Sequence, residues 1–87
     1  MVDTANKFSL WAIEIFVASV EEGSISAAAK RLNSSNSTIS QQLTNLEAAL
    51  GSELLDRSTR PMKLKPTGQL FLHRARAILS EVMQAKS

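Results

Sequence analysis

Leu10, Ile13, Phe16, Val17 and Val20 recur at steps of three and four residues, the period of a helix with one buried face. Ser9 stands where an N-cap belongs and Gly23 lies just past the end, so the pattern predicts a first helix. Ala12 and Ala18 add helix propensity. A short second helix follows, with Ser24 or Ser26 as its cap and Ile25, Ala28, Ala29 and Leu32 on its inner side. The small Ala28 and Ala29 suit a place where two steeply crossing backbones approach. Asn33-Ser34-Ser35 then interrupts the pattern with three turn-forming residues. The third stripe is the most regular: Ile39, Leu43, Leu46 and Leu50. Ser35 is its natural N-cap, and Gly51 fits the left-handed position after its last residue.

Beyond Gly51 the period changes. Met62-Lys63-Leu64-Lys65 alternates apolar and polar, as a half-buried strand does. Leu54-Leu55 supplies a partner strand, and Ser58-Thr59-Arg60-Pro61 the connecting loop. Pro66 suits the first turn of a last helix. That helix carries two apolar stripes: Phe71, Ala75, Ile78 and Val82, and beside them Leu72, Leu79 and Met83. One stripe suffices to dock it on its own domain. The expectation is that the first docks and the second stands exposed until a second copy covers it. Either stripe serves as the seam, and the dimer residues are taken to be Leu72, Ala75, Leu79, Val82 and Met83. The fold class is thus mainly α: a winged helix-turn-helix of three helices and a two-stranded wing, followed by a long dimerisation or linker helix. Residues 1–8 read as a flexible polar tail, 9–65 as the winged helix-turn-helix and 66–87 as the linker helix.

Eighty-seven residues make one domain at most, with little stability in reserve. There is no cysteine, so neither a disulfide nor a thiolate metal site can add to it. No apolar run exceeds four residues, too few for a membrane span. Met1 to Phe8 lacks the apolar core of a signal peptide, so the expected location is the cytoplasm. The net charge is only +2, but it is unevenly spread. From Leu54 to Arg76, Arg57, Arg60, Lys63, Lys65, Arg74 and Arg76 face a single Asp56. Such a segment suits a polyanion partner as well as it suits a solvated face.

Two helices joined by a short turn, the first small and alanine-rich, form the arrangement that puts a second helix into the DNA major groove. Its outer face holds Asn36, Ser37, Ser40, Gln41 and Thr44, with Ser26, Ser35 and Thr38 taken as further contacts. Asn and Gln amides donate and accept at once, matching the adenine edge, while hydroxyls serve bases or phosphates. No charged residue occurs from Asn33 to Leu46, whereas a merely wet face commonly carries Lys and Glu. Arg60 and Lys63 lie where a wing touches a minor groove or phosphates. Arg57 follows Asp56 and suits a local ion pair as well as a phosphate contact. The lone His73 has no cysteine or clustered carboxylates beside it to build a metal site, and no nucleophile–base pair is suggested. It reads as a surface or interface residue, and Trp11 as half-buried packing. An enzyme is not indicated, and no cofactor is expected. The competing reading is a winged-helix protein–protein interaction module.

The order of residues resembles the LysR-type transcriptional regulators. The likeness runs from Leu10-x-x-Ile13-x-x-Phe16-Val17 through Glu22-Gly23-Ser24-Ile25-Ser26-x-Ala28-Ala29-x-x-Leu32. It continues with Ser35-Asn36-Ser37-x-x-Ser40-x-Gln42-Leu43-x-x-Leu46-Glu47, Leu50-Gly51 and Leu54-Leu55-Asp56-Arg57, then Leu64 and Gly68. Ser34 stands where the family usually has an apolar residue. Asn36-Ser37 replaces a frequent Gln-Pro, Gln41 replaces a common basic residue, and the usual Leu-Thr before the last helix reads Leu64-Lys65-Pro66. The resemblance implies a homodimer or tetramer on an interrupted palindromic operator in double-stranded DNA. It also implies a small-molecule effector acting only through a C-terminal domain that this chain does not include, the chain being read as the DNA-binding portion.

Overall fold

The computed structural model describes residues 9–86, so the tail assigned to 1–8 lies outside the described residues. Among them the order is α1 (Leu10–Glu22), α2 (Ile25–Arg31), α3 (Asn36–Leu50), β1 (Leu55–Asp56), β2 (Lys63–Leu64) and α4 (Pro66–Lys86). Local chemistry sets the boundaries. Ser9, Ser24 and Ser35 each accept a hydrogen bond from a backbone N–H one turn inside their helix, at 3.1, 3.0 and 3.2 Å. Ser24, rather than Ser26, therefore caps α2. Gly23 and Gly51 close α1 and α3 in the left-handed conformation, at φ 76° and 70°.

α1 is the centre of the molecule and touches α2, α3 and α4. That is why Ala12, Ile13, Ile15, Phe16, Val17, Ala18 and Ser19 are all buried, on more than one face. The buried Ser19 hydroxyl donates to the Ile15 carbonyl, 2.7 Å away, so its polarity is satisfied inside the helix. Ala28 and Ala29 bring α2 against this layer, and Ile39, Leu43 and Leu46 complete it from α3. The turn between α2 and α3 is closed by backbone: Ser34 N–H donates to the Ala29 carbonyl at 2.9 Å. Asn33 takes a positive φ of 53° there, a region Asn tolerates better than most residues.

β1 and β2 pair antiparallel, Leu55 with Leu64 and Asp56 with Lys63. The wing is anchored at both ends. Met62 N–H donates to the Gly23 carbonyl at 3.1 Å, and Lys65 N–H to that of Leu54 at 2.9 Å. The loop between the strands is held by Asp56, whose carboxylate accepts from the Ser58 hydroxyl and N–H. Those bonds, the hydroxyl's first, hold the carboxyl below its ordinary range.

The last helix docks differently from the two-stripe expectation. Ala75 is fully buried, and Phe71, Leu72 and Leu79 pack against the core beside it. Phe71 meets Phe16 edge-on, with ring centroids 5.3 Å apart. Ile78, expected to dock, is 38% exposed, and Leu70 is 62% exposed. The helix is laid with Ala75 at its midline, so the near flank of each stripe is covered. A close approach at Gly68, in the first turn of α4, fixes this placement. A Cβ there would lie 2.1 Å from the Leu54 carbonyl oxygen. Ala75 thus has no surface left for a dimer seam, and Leu72 and Leu79 are largely committed to their own core. Val82 is half-buried and Met83 exposed. No helix among the described residues is long and apolar enough to cross a membrane.

Candidate nucleic-acid interface

The starts of α2 and α3 and the wing loop converge on one side of the molecule. They enclose an open cleft of about 500 Å³. Ser26 enters it from α2, Asn36, Ser37 and Ser40 from α3, and Arg57 and Arg60 from the wing. Six of the side chains expected from sequence therefore share a single concave surface. Thr59 and Met62 also line it, and no sequence pattern singled them out, because their placement follows from how the loop folds back to Gly23.

The other expected residues lie around this cleft. Gln41 and Thr44 are exposed farther along α3, Lys63 is exposed on β2, and Thr38 is half-buried at the start of the helix. Ser35 is engaged: its hydroxyl donates to Thr38 Oγ1 at 2.9 Å and accepts from Thr38 N–H. It holds the helix start in place and has little capacity for a second partner.

Arg57 pairs neither with Asp56 nor with solvent alone. Its Nη2 lies 2.9 Å from Glu47 Oε1, and its Nη1 lies 3.5 Å from Thr44 Oγ1. The other Glu47 oxygen accepts from the Leu54 and Leu55 N–H groups at 2.7 and 3.3 Å. One carboxylate on α3 therefore fixes both the first wing strand and the guanidinium beside the cleft. Sequence inspection missed Glu47 because its partners lie seven to ten residues away on another element.

The basic segment is less free than its composition implies. Lys65 pairs with Glu53 at 2.7 Å, and Arg76 with Glu21 at 3.2 Å. The Lys65 ammonium holds the Glu53 carboxyl below its usual range, and Glu53 in turn raises Lys65. Glu21 is held low by the hydrogen bond from Arg31, against some desolvation, with Arg76 adding to the effect. Among the described residues, Arg60 and Lys63 on the wing form no ion pair. Arg74 on α4 is likewise exposed and outside these pairs, but only Arg60 and Lys63 carry their free charge on the wing, where it can face a polyanion.

A capped helix carrying uncharged hydrogen-bonding groups, flanked by a two-stranded wing with unpaired cations, defines a winged helix-turn-helix protein. Residues 10–69 match the bacterial regulatory helix-turn-helix protein, lysR family, and the chain belongs to that family. It is 43% identical over 75 residues to the HTH-type transcriptional regulator BenM of Acinetobacter baylyi, covering 86% of this chain and 25% of BenM. To PtxR of Pseudomonas aeruginosa it is 41% identical over 86 residues, 99% of this chain and 28% of PtxR. The chain thus spans about a quarter of the length of these curated relatives. The crystal structure of the BenM_DBD/catB site 1 DNA complex superposes with a TM-score of 0.87 at 41% identity, covering 90% of this chain and 88% of that one. The CbnR_DBD–DNA complex gives 0.86 at 39% identity, with 91% of each chain covered.

Proposed function

We propose that these residues form a sequence-specific double-stranded DNA-binding unit, with α3 in the major groove and the wing on the minor groove or phosphates. The observation that carries the reading is the shared cleft, where the uncharged start of α3 and the unpaired Arg60 face the same way. The DNA complexes of BenM_DBD and CbnR_DBD, similar in fold and sequence, support it. A helix fits a major groove about 12 Å wide, and only one of its faces needs hydrogen-bonding groups. Arg60 and Lys63 supply the salt-sensitive share. A protein with this partner works at the nucleoid, in the cytoplasm.

Titration against random duplex at low and moderate salt tests this directly. Binding is expected to weaken as salt rises. Arg60→Ala should weaken specific and unrelated duplexes alike and flatten the log–log salt slope by about one unit. No binding to any duplex at low salt would favour a protein-interaction module instead. Binding-site selection then gives the operator, expected to be an interrupted palindrome.

The palindrome requires a homodimer, and the exposed flank of α4 supplies its seam. Leu70 and Ile78 stand outward beside Leu50, along an apolar groove of about 360 Å³ that Leu54 and Phe71 floor. Two-fold pairing through this flank would set half-sites about one helical turn, roughly 34–36 Å, apart or a multiple of it. Leu70→Glu combined with Ile78→Glu is expected to leave a folded monomer with most operator affinity lost. Sedimentation of a wild-type monomer that still binds its operator fully would remove the dimer from the proposal. Effector binding belongs, on the family resemblance, to a further C-terminal domain and is no part of the function proposed for these residues.

A further inference from the structure

Side chains on the outer face of α3 already hold hydrogen-bond partners. Ser35 and Thr38 are joined at its start, and Thr44 takes the long contact from Arg57. One turn past Thr38, Gln41 Nε2 donates to Asn45 Oδ1 at 2.9 Å. Both amides are exposed, on the side opposite Ile39, Leu43 and Leu46. Asn45 stands outside the set of side chains that the sequence pointed to.

We propose that Asn45 is a positioning residue that fixes the Gln41 amide for reading one base pair, an inference that rests on the proposed DNA binding. The chemistry of a primary amide allows this. A side-chain amide has two N–H groups, one on the same edge as its oxygen and one pointing away. Bidentate recognition of adenine uses the oxygen and the N–H on its own edge. The N–H pointing away is then left over, and it can be given to Asn45 without taking anything from the base. A glutamine has three side-chain torsions to fix before it can read a base, and a bond already made at its tip removes part of that ordering cost. The i, i+4 spacing on a helix is what makes the bond geometrically accessible. Where a basic side chain would bind the backbone or guanine by charge, this pair offers a neutral, oriented edge that selects adenine.

The test begins with the 87-residue chain and duplexes from binding-site selection, followed by single-base-pair variants of the selected duplex. One base pair is expected to lose its preference in Gln41→Ala. Asn45→Ala should reduce selectivity at that same base pair by up to about twofold, as expected for the loss of one exposed helical amide pair, with a nearly unchanged melting temperature. Asn45→Asp keeps the accepting oxygen, so it should retain the selectivity while weakening all duplexes together through its added charge. In a Gln41→Ala background, Asn45→Ala should change that base pair no further. If Asn45→Ala leaves the Gln41-dependent base pair untouched, or acts equally with Gln41 removed, the positioning role is overturned and DNA reading stands. If Gln41→Ala alters no base preference, the inference also falls. A wild-type chain without any sequence preference removes the parent function and this inference together.

Discussion

Gly68→Ala is expected to lower stability by about 3 kcal/mol, near the upper end of what overpacking usually costs. In most helices the same change helps, because alanine exceeds glycine in helix propensity by about 1 kcal/mol. Here the added methyl would lie 2.1 Å from the Leu54 carbonyl oxygen and 2.8 Å from Leu64 Cδ2. The leucine side chain can turn aside, but the carbonyl is backbone and accepts the Lys65 N–H that anchors the wing. Relief therefore requires α4 to lift off the Leu54 backbone, which pulls Phe71 and Ala75 from the core. For a domain of this size each kcal/mol shifts Tm by about 4–8 °C, so a thermal melt should show a fall of well over ~10 °C. Gly51→Ala is the control. A Cβ added there would meet nothing within 4 Å, leaving only the φ of 70° to strain it, a cost of about 1–2 kcal/mol. If Gly68→Ala melts at or above the wild-type temperature, α4 does not sit against the Leu54 backbone.

Leu43→Ala should cost about 2–5 kcal/mol, the range for truncating a buried leucine. Leu43 is almost fully buried and lies on the same side as Ile39 and Leu46, both also buried. The α1 helix that they pack against is surrounded on several sides and cannot collapse into the gap. A domain of 87 residues has about 4–13 kcal/mol in all, so this one change removes a large share of it. Gln41→Ala, two positions earlier on the opposite face, removes only an exposed amide pair of about 0.2–0.5 kcal/mol. Its melting temperature should be nearly unchanged, while affinity for the selected duplex drops by about 1–3 kcal/mol through the lost base contact. The pair of measurements separates scaffold from reading face on one helix. Equal falls in melting temperature would mean that α3 is rotated about its axis, with Gln41 turned toward the core.

What can be read from the chain alone is what short-range physics decides. The caps at Ser9 and Ser35, the left-handed glycines after α1 and α3, the turn at Asn33 and the alternation at Met62 to Lys65 each depend on a few adjacent residues. The core stripe of α3 is equally local, since a period of 3.6 with Ile39, Leu43 and Leu46 leaves one way to bury them. Even the candidate reading face followed, as the complement of that stripe.

Other features were settled only when elements distant in sequence met. The last helix offered two apolar stripes of similar strength, and periodicity cannot rank them. Gly68 against the Leu54 carbonyl, together with Ala75 at the midline, fixed its rotation, so Leu72 and Leu79 turned inward and Leu70 and Ile78 outward. Arg57 had a carboxylate next to it in sequence, yet its partner is Glu47 on another element. The basic segment looked free as a string of letters and proved partly neutralised once Glu53 and Glu21 came alongside Lys65 and Arg76. Hydrophobic periodicity reports which residues prefer to be buried, and capping reports where a helix can begin. Neither carries information about which of several adequate surfaces finds the closer steric fit, or which of several charges finds the nearer counter-charge. Those choices belong to the packed molecule.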